Sequence, residues 1–304
     1  RELNYRPNLS ARSLARANTY FIGLLYDNPS AGYISELLIG ALNRCRKAGY
    51  HLVVESCGAA EQDWESAIGD MLRTSNFDGV IIPPPVCDNA AVLAAVEAAS
   101  LPHVRISPDL EKAGSPRIET DDRAAARRMT EYLLELGHRR IAFIRGPESH
   151  GASRKRFEGY CQAMEAAGLA RDPDLIAEGE FTYRSGLEAA DILLKSDPRP
   201  TAIFASNDDM AVAAIAMGHR HHLDIPTDLT VVGFDDTQTA TAIWPQLTTV
   251  RQPIATMAAE AVDMLADRLD RIRTGEAGEA SLCQEIGSEI IVRDSSAAPG
   301  PAGR

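Results

Sequence analysis

From position 20 onward the chain alternates short apolar runs with longer stretches in which apolar residues recur every three or four positions, and it does so in two successive rounds. The first round opens with YFIGLLY (20–26). A helix over 32–48 follows, with Ile34, Leu37, Leu38, Ala41, Leu42 and Cys45 on one face, and Gly49 stops it. Next come YHLVVES (50–56), a helix over 61–73, DGVII (78–82) closed by three prolines, a helix over 89–99, and HVRI (103–106). The second round starts at Asp121 with a helix carrying Met129, Leu133 and Leu136 on one side and ending at Gly137. It continues with RRIAFI (139–144), a helix over 154–167, a weak strand over 175–179 and a helix over 185–195. TAIFA (201–205), a helix over 208–217 and LTVVGF (229–234) complete it.

Strands that alternate with helices imply parallel sheets with crossover connections. Two such rounds in tandem predict an α/β protein with two lobes, each a parallel sheet flanked by helices. A long helix over 254–273 and one strand over 285–292 are left over, free by pattern to return to either lobe. The terminal SSAAPGPAGR is expected to be disordered.

Composition narrows the class. The 304 residues are 45% hydrophobic and 24% charged, enough for two domains that bury their own cores. No run of 18 apolar residues occurs and no secretory leader opens the chain, which predicts a cytoplasmic protein with no membrane partner. The five cysteines are scattered without a C-x-x-C pair and read as free thiols. The net charge of −12 argues against a body coated in nucleic acid, yet Arg1 to Arg16 holds four arginines against one glutamate.

In open α/β sheets ligands bind beyond the carboxyl ends of the strands. The polar residues at those ends are Asp27, Asn28, Asp88, Ser107, Asp109, Arg145, Glu148, Asn207, Asp208, Asp209, Asp235 and Asp236. Amides and carboxylates of this kind grip hydroxyl groups, and about half of the set is expected to cap helices instead. An enzyme is one rival reading, since SNDDM and GFDD pair carboxylates. No nucleophile–histidine constellation or glycine-rich phosphate loop accompanies them, so no catalytic residue and no cofactor are assigned. His219 and His222 have a spacing that could hold a metal, but a solvated helix end accounts for them and no metal site is assigned.

The stretches YRPNLSARSL, FASNDDMAVAAI, LTVVGFDDT and LTTVRQP, in this order, resemble the lactose/galactose repressor family of transcription regulators. IETDDRAAARRMTEYLLELGHRRIAFIRG (118–146) is similar to the family's inter-lobe crossover and the start of its second lobe. The resemblance spans Leu3 to about Arg293. It implies a two-lobed core of the periplasmic-binding-protein kind, with crossovers between lobes and a small effector, a sugar or sugar derivative, held between them. The implied division is 1–19 for the end of a DNA-binding headpiece and hinge helix, 20–120 with 251–280 for one lobe, and 121–250 with 281–293 for the other, leaving 294–304 as tail.

By the same resemblance Asn8, Ala11, Arg12, Ser13 and Leu14 form a hinge helix that folds on operator DNA, with Leu14 as an apolar wedge in the minor groove. Asn8 suits an N-cap, and the segment is too short to be a stable helix alone. A helix-turn-helix is implied before Leu3, so operator DNA is a partner of the full-length protein only. The implied effector site comprises Asp27, Tyr33, Asp109, Arg156, Phe181, Asn207 and Asp235. One departure stands out: the family's fourth strand often ends in Asp-Arg, whereas RISPD inserts Ser107 and Pro108 before Asp109. A homodimer is expected, since no heptad repeat follows Asp294 to build a tetramer. The alternative with the same fold is a periplasmic-type sugar receptor without a DNA role.

Overall fold

The computed structural model describes residues 19–57, 64–110, 114–276 and 282–300. The five hinge positions Asn8, Ala11, Arg12, Ser13 and Leu14 lie outside them. The chain divides into two compact units: residues 19–27, Leu38–Ile118 and Ala255–Gln284 form the first, and Asn28–Leu37, Glu119–Ile254 and 285–300 the second.

The first unit is built on β1 (Phe21–Tyr26), β2 (His51–Ser56), β3 (Gly79–Ile82), β4 (His103–Ile106), β5 (Arg117–Glu119) and β11 (Cys283–Glu285), in the order β11-β5-β4-β3-β1-β2. The pairs β1–β2, β1–β3, β3–β4 and β4–β5 are parallel. Among the described residues four helices go with these strands: α1 (Ala31–Ala48), whose residues through Leu37 belong to the second unit, α2 (Trp64–Thr74), α3 (Ala90–Ala98) and, after the second round, α9 (Ile254–Thr274). Every residue of β3 and β4 is buried, as expected of central parallel strands covered on both faces. Leu25, Val80 and Ile82 pack with Ile68 and Leu72 of α2 and Val92 and Val96 of α3.

The second unit holds β6 (Ile141–Arg145), β7 (Ile176–Glu178), β8 (Ala202–Ala205), β9 (Thr230–Asp235), β10 (Thr248–Arg251) and β12 (Glu289–Ile291), in the order β12-β10-β9-β8-β6-β7. Only the edge pair β10–β12 is described as antiparallel. Its helices are α4 (Asp122–Glu135), α5 (Gly151–Ala166), α6 (Tyr183–Leu194), α7 (Asp208–Arg220) and the short α8 (Gln238–Ala242). Strand alternation sorts the core into two layers. Ile141, Phe143, Ala202, Phe204, Val232 and Phe234 face α4 and α5, while Ala142, Ile144, Ile203, Ala205 and Val231 face α6 and α7. Asp121 starts α4 by accepting from Ala124 N at 2.9 Å, and Asn207 starts α7 by accepting from Met210 N at 3.0 Å.

Three expectations are corrected. The single strand over 285–292 is two short strands, β11 in the first sheet and β12 in the second, because the chain returns across the units at 286–288 and no one sheet could pair both. The sequence pattern also passed over β5 and β10, which are too short to show alternation. The tail expected to be disordered is tied down by hydrogen bonds as far as Ala297. Ser295 is fully buried, its Oγ donates to Val231 O at 2.6 Å and accepts from Thr248 N at 2.8 Å, and His138 Nε2 meets Ala297 O at 2.8 Å. Hydrogen bonds to the start of β9, at Thr230 and Val231, outweigh the low hydrophobicity of that segment.

Candidate functional site

The carboxyl ends of β8 and β9 and the start of α5 converge on one guanidinium. Arg156 sits on the inner face of α5, 4% exposed. Its Nε donates to Asp122 Oδ1 at 2.9 Å, and its Nη1 donates to Ser206 O at 2.6 Å and lies 3.5 Å from Asp235 Oδ1. Its plane lies over the Phe234 ring, 3.7 Å from the centroid, and 6.0 Å from that of Phe181. The carboxylates and the Tyr33 phenol raise its pKa against the desolvation that opposes them, so it is a permanent cation.

Asp235 ends β9 at φ 118° and is 4% exposed. Gln252 Nε2 donates to its Oδ1 at 2.6 Å. Burial pushes its pKa up to about 7; Arg156 and Gln252 pull it down, and Asp209 and Asp122 add to the rise. Asp208 is buried behind it, accepting from Thr249 Oγ1 at 2.6 Å and Thr237 N at 2.7 Å, and its pKa is raised well above the ordinary value by desolvation and by Asp235. Only a glycine fits at 233, since a Cβ there would lie 2.5 Å from Asp208 Oδ1. Asp209 is raised by burial too, and accepts from Ser30 Oγ at 2.7 Å.

Phe181 is held at φ 55°, a conformation bulky residues rarely adopt, and is 5% exposed. Asn207 Nδ2 donates to its carbonyl at 3.1 Å while Asn207 Oδ1 caps α7. The Asn207 amide is thus committed to fixing Phe181 and the helix. Gly146 opens the space beneath the ring, where a Cβ would lie 2.3 Å from it. His150 meets the ring edge-on, with centroids 5.2 Å apart and planes at 81°.

Of the seven positions that the resemblance implies for an effector, the second unit holds Tyr33, Arg156, Phe181, Asn207 and Asp235. Asp27 and Asp109 belong to the first unit. Asp27 is exposed beyond the end of β1, and Asp109 follows the RISPD departure, its N–H donating to Asp88 Oδ2 at 2.8 Å. Ser107 takes φ 45° there, which turns the chain sharply off β4. Sequence reasoning missed Asp122, Gln252 and His150. The first two sit at the ends of connecting segments, and His150 sits in the loop before a helix whose start was placed three residues late. The flagged His219 and His222 are exposed at the end of α7, and no group of three His, Cys, Asp or Glu among the described residues could hold a metal. No helix among them is long and apolar enough to cross a membrane.

A periplasmic binding protein-like domain matches residues 130–296. The HTH-type transcriptional repressor CytR of Escherichia coli (strain K12) is 30% identical over 302 residues, covering 98% of this chain and 85% of the relative. The ribose operon repressor of the same strain is 32% identical over 269 residues, covering 88% and 81%. Among solved structures, a transcriptional regulator CelR–cellobiose complex superposes with a TM-score of 0.81 at 26% identity, covering 96% of this chain and 92% of that one. The lac repressor dimer bound to operator and the anti-inducer ONPF gives 0.80 at 25%, covering 97% and 100%. Repressor relatives matched nearly end to end, together with a doubly repeated α/β core, leave one conclusion: the chain belongs to the lactose/galactose repressor family of transcription regulators, with a periplasmic-binding-protein-like core.

Proposed function

We propose that this protein is a transcriptional repressor whose operator affinity is set by a small polyhydroxylated effector, a sugar or sugar derivative, bound at the carboxyl edge of the second unit's sheet. The observation that carries the reading is the Arg156–Asp122–Asp235 cluster beside Phe181. A forked cation and carboxylate acceptors match vicinal hydroxyls, and an aromatic face matches the apolar face of a sugar ring. The strained Phe181 and Asp235 and the crowded carboxylates fit a site organised for a ligand at some expense to stability. Relatives that repress transcription, one of them named for ribose and a structural neighbour holding cellobiose, support the same class.

In this reading the protein acts as a cytoplasmic homodimer without catalytic activity, and Asn8, Ala11, Arg12, Ser13 and Leu14 contact operator. Asp27 and Asp109 would add acceptors from the first unit. A thermal-shift screen against carbohydrates and nucleosides, followed by calorimetry of the best hit on wild type and Asp235→Ala, tests the effector site. Wild-type affinity in the folded variant would sink it. In the protein carrying its DNA-binding headpiece, Leu14→Ala is expected to weaken operator binding and leave effector binding intact.

A further inference from the structure

Two buried polar atoms around Arg156 lack a hydrogen-bond partner: His150 Nε2 and Ser206 Oγ. His150 is 6% exposed and Ser206 fully buried, so neither is served by bulk water. The His150 ring is fixed by its edge-on contact with Phe181 and by Ser149 Oγ, 3.3 Å from Nδ1. Buried polar groups are almost always paired, and two orphans around one ligand-like cluster mark places where ligand atoms complete the bonding.

The charge around them is lopsided. Arg156 is the cation of the cluster, facing Asp122 and Asp235, and Asp209 and Asp208 act on Asp235 as well. His150 adds no charge: burial and the neighbouring Arg156 hold its pKa down at about 4. A ligand phosphate or carboxylate would bring further negative charge beside Asp122 and Asp235, which already occupy the sides of Arg156 as buried acceptors. An uncharged ligand meets no such opposition.

We propose that the effector is an uncharged polyol or nucleoside rather than its phosphate ester or acid, and that His150 is its specificity-determining contact, hydrogen-bonding through Nε2 to a polar atom of the ring that lies on Phe181. This rests on the effector reading above. The imidazole edge, unlike a lysine or arginine at that position, reads a hydroxyl or ring nitrogen without inviting an anion.

Matched pairs test it: D-ribose and ribose 5-phosphate, D-glucose and glucose 6-phosphate, adenosine and AMP, cytidine and CMP. Thermal shift and calorimetry are run on the wild-type chain, on His150→Phe, on His150→Gln and on Asp235→Asn. The expected result is binding of at least one neutral member, with its phosphate ester weaker by tenfold or more (about 1.4 kcal/mol). His150→Phe, which keeps the ring packing, should lose about tenfold in affinity, and His150→Gln, which restores a polar atom, should recover most of it. A phosphate ester that binds more tightly than its neutral partner, with binding still lost in Asp235→Asn, overturns the proposal and leaves the site standing. So does unchanged affinity in His150→Phe. Binding that ignores Asp235→Asn places the ligand elsewhere and overturns both readings, as does the absence of binding by every pair.

Discussion

Each unit buries an arginine, and the two are used differently. Arg105 lies in β4 of the first unit, fully buried, where its Nε donates to Ser115 Oγ at 3.0 Å and its Nη1 to Leu110 O at 2.9 Å, with Asp88 at 3.8 Å. Asp88 in turn accepts from the backbone of Asp109 and Leu110. That guanidinium braces the loops at the end of its own sheet through largely neutral oxygens. Arg156 of the second unit faces two buried carboxylates, lies over an aromatic ring and has orphaned neighbours in His150 and Ser206. The lesson is that burial of an arginine does not mark a binding site. What sets Arg156 apart is its pair of buried carboxylates and the aromatic ring beneath it, since an unpaired buried hydroxyl also stands two residues past Arg105, at Ser107 Oγ.

The sharpest way to break this comparison is to remove each guanidinium. Arg156→Ala leaves Asp122 and Asp235 buried without their cation and is expected to lower stability by about 3–5 kcal/mol in thermal or urea unfolding, as well as to abolish effector binding. The loss should shrink below pH 7, because without Arg156 the Asp235 pKa rises further and protonation relieves the buried charge. Arg105→Ala should cost somewhat less, about 2–4 kcal/mol, through lost loop bonds and a cavity. Any effect on effector affinity should come only through the loops it braces, and equal loss of binding in both folded variants would erase the distinction.

Asp235→Asn probes the price of the site. A folded-state pKa near 7, above the ordinary carboxylate value, means that the native state holds a proton that the unfolded chain has released between about pH 4 and pH 7. The penalty on wild-type stability therefore grows as pH rises through that window and is complete above it. Asparagine keeps an acceptor for Gln252 and lacks the charge, so the variant should be more stable than wild type by about 1–3 kcal/mol at pH 8 and little different at pH 4. Its effector affinity should fall. A variant less stable at pH 8 would show that Asp235 is a structural ion pair.

The smallest effects come from two helix caps. Asn89 accepts from Ala91 N and Val92 N at the start of α3, and Asn89→Ala should cost about 1 kcal/mol with no effect on ligand. Asn207→Ala should cost a similar amount for its cap and, by freeing the Phe181 carbonyl, weaken effector binding measurably in calorimetry. Parallel behaviour of the two variants would mean that Phe181 holds its conformation without Asn207.

The chain's own pattern was enough for the two α/β rounds, for most strands to within a residue or two, and for Asn207 and Asp235 as polar residues at strand ends, because strand ends are visible where an apolar run stops, whereas Arg156 and Phe181 were reached only through the resemblance to the repressor family. What local pattern could not settle depended on partners distant in sequence. Nothing near Ser295 announces that its hydroxyl is buried between β9 and β10, and nothing near Asp122 announces a salt bridge to a residue 34 positions away. Asn207 reads as ligand donor and as helix cap alike, and only the position of the Phe181 carbonyl commits its amide. His150 reads as a loop residue until Phe181 is placed against it. Sequence determined which segments are strands and helices and which residue types stand at their ends, since periodicity and capping act over a few residues. Tertiary structure decided which of those residues are buried together, and so which carboxyls are pushed toward neutrality and which polar atoms are left unpaired, since desolvation and charge proximity arise only when distant segments meet.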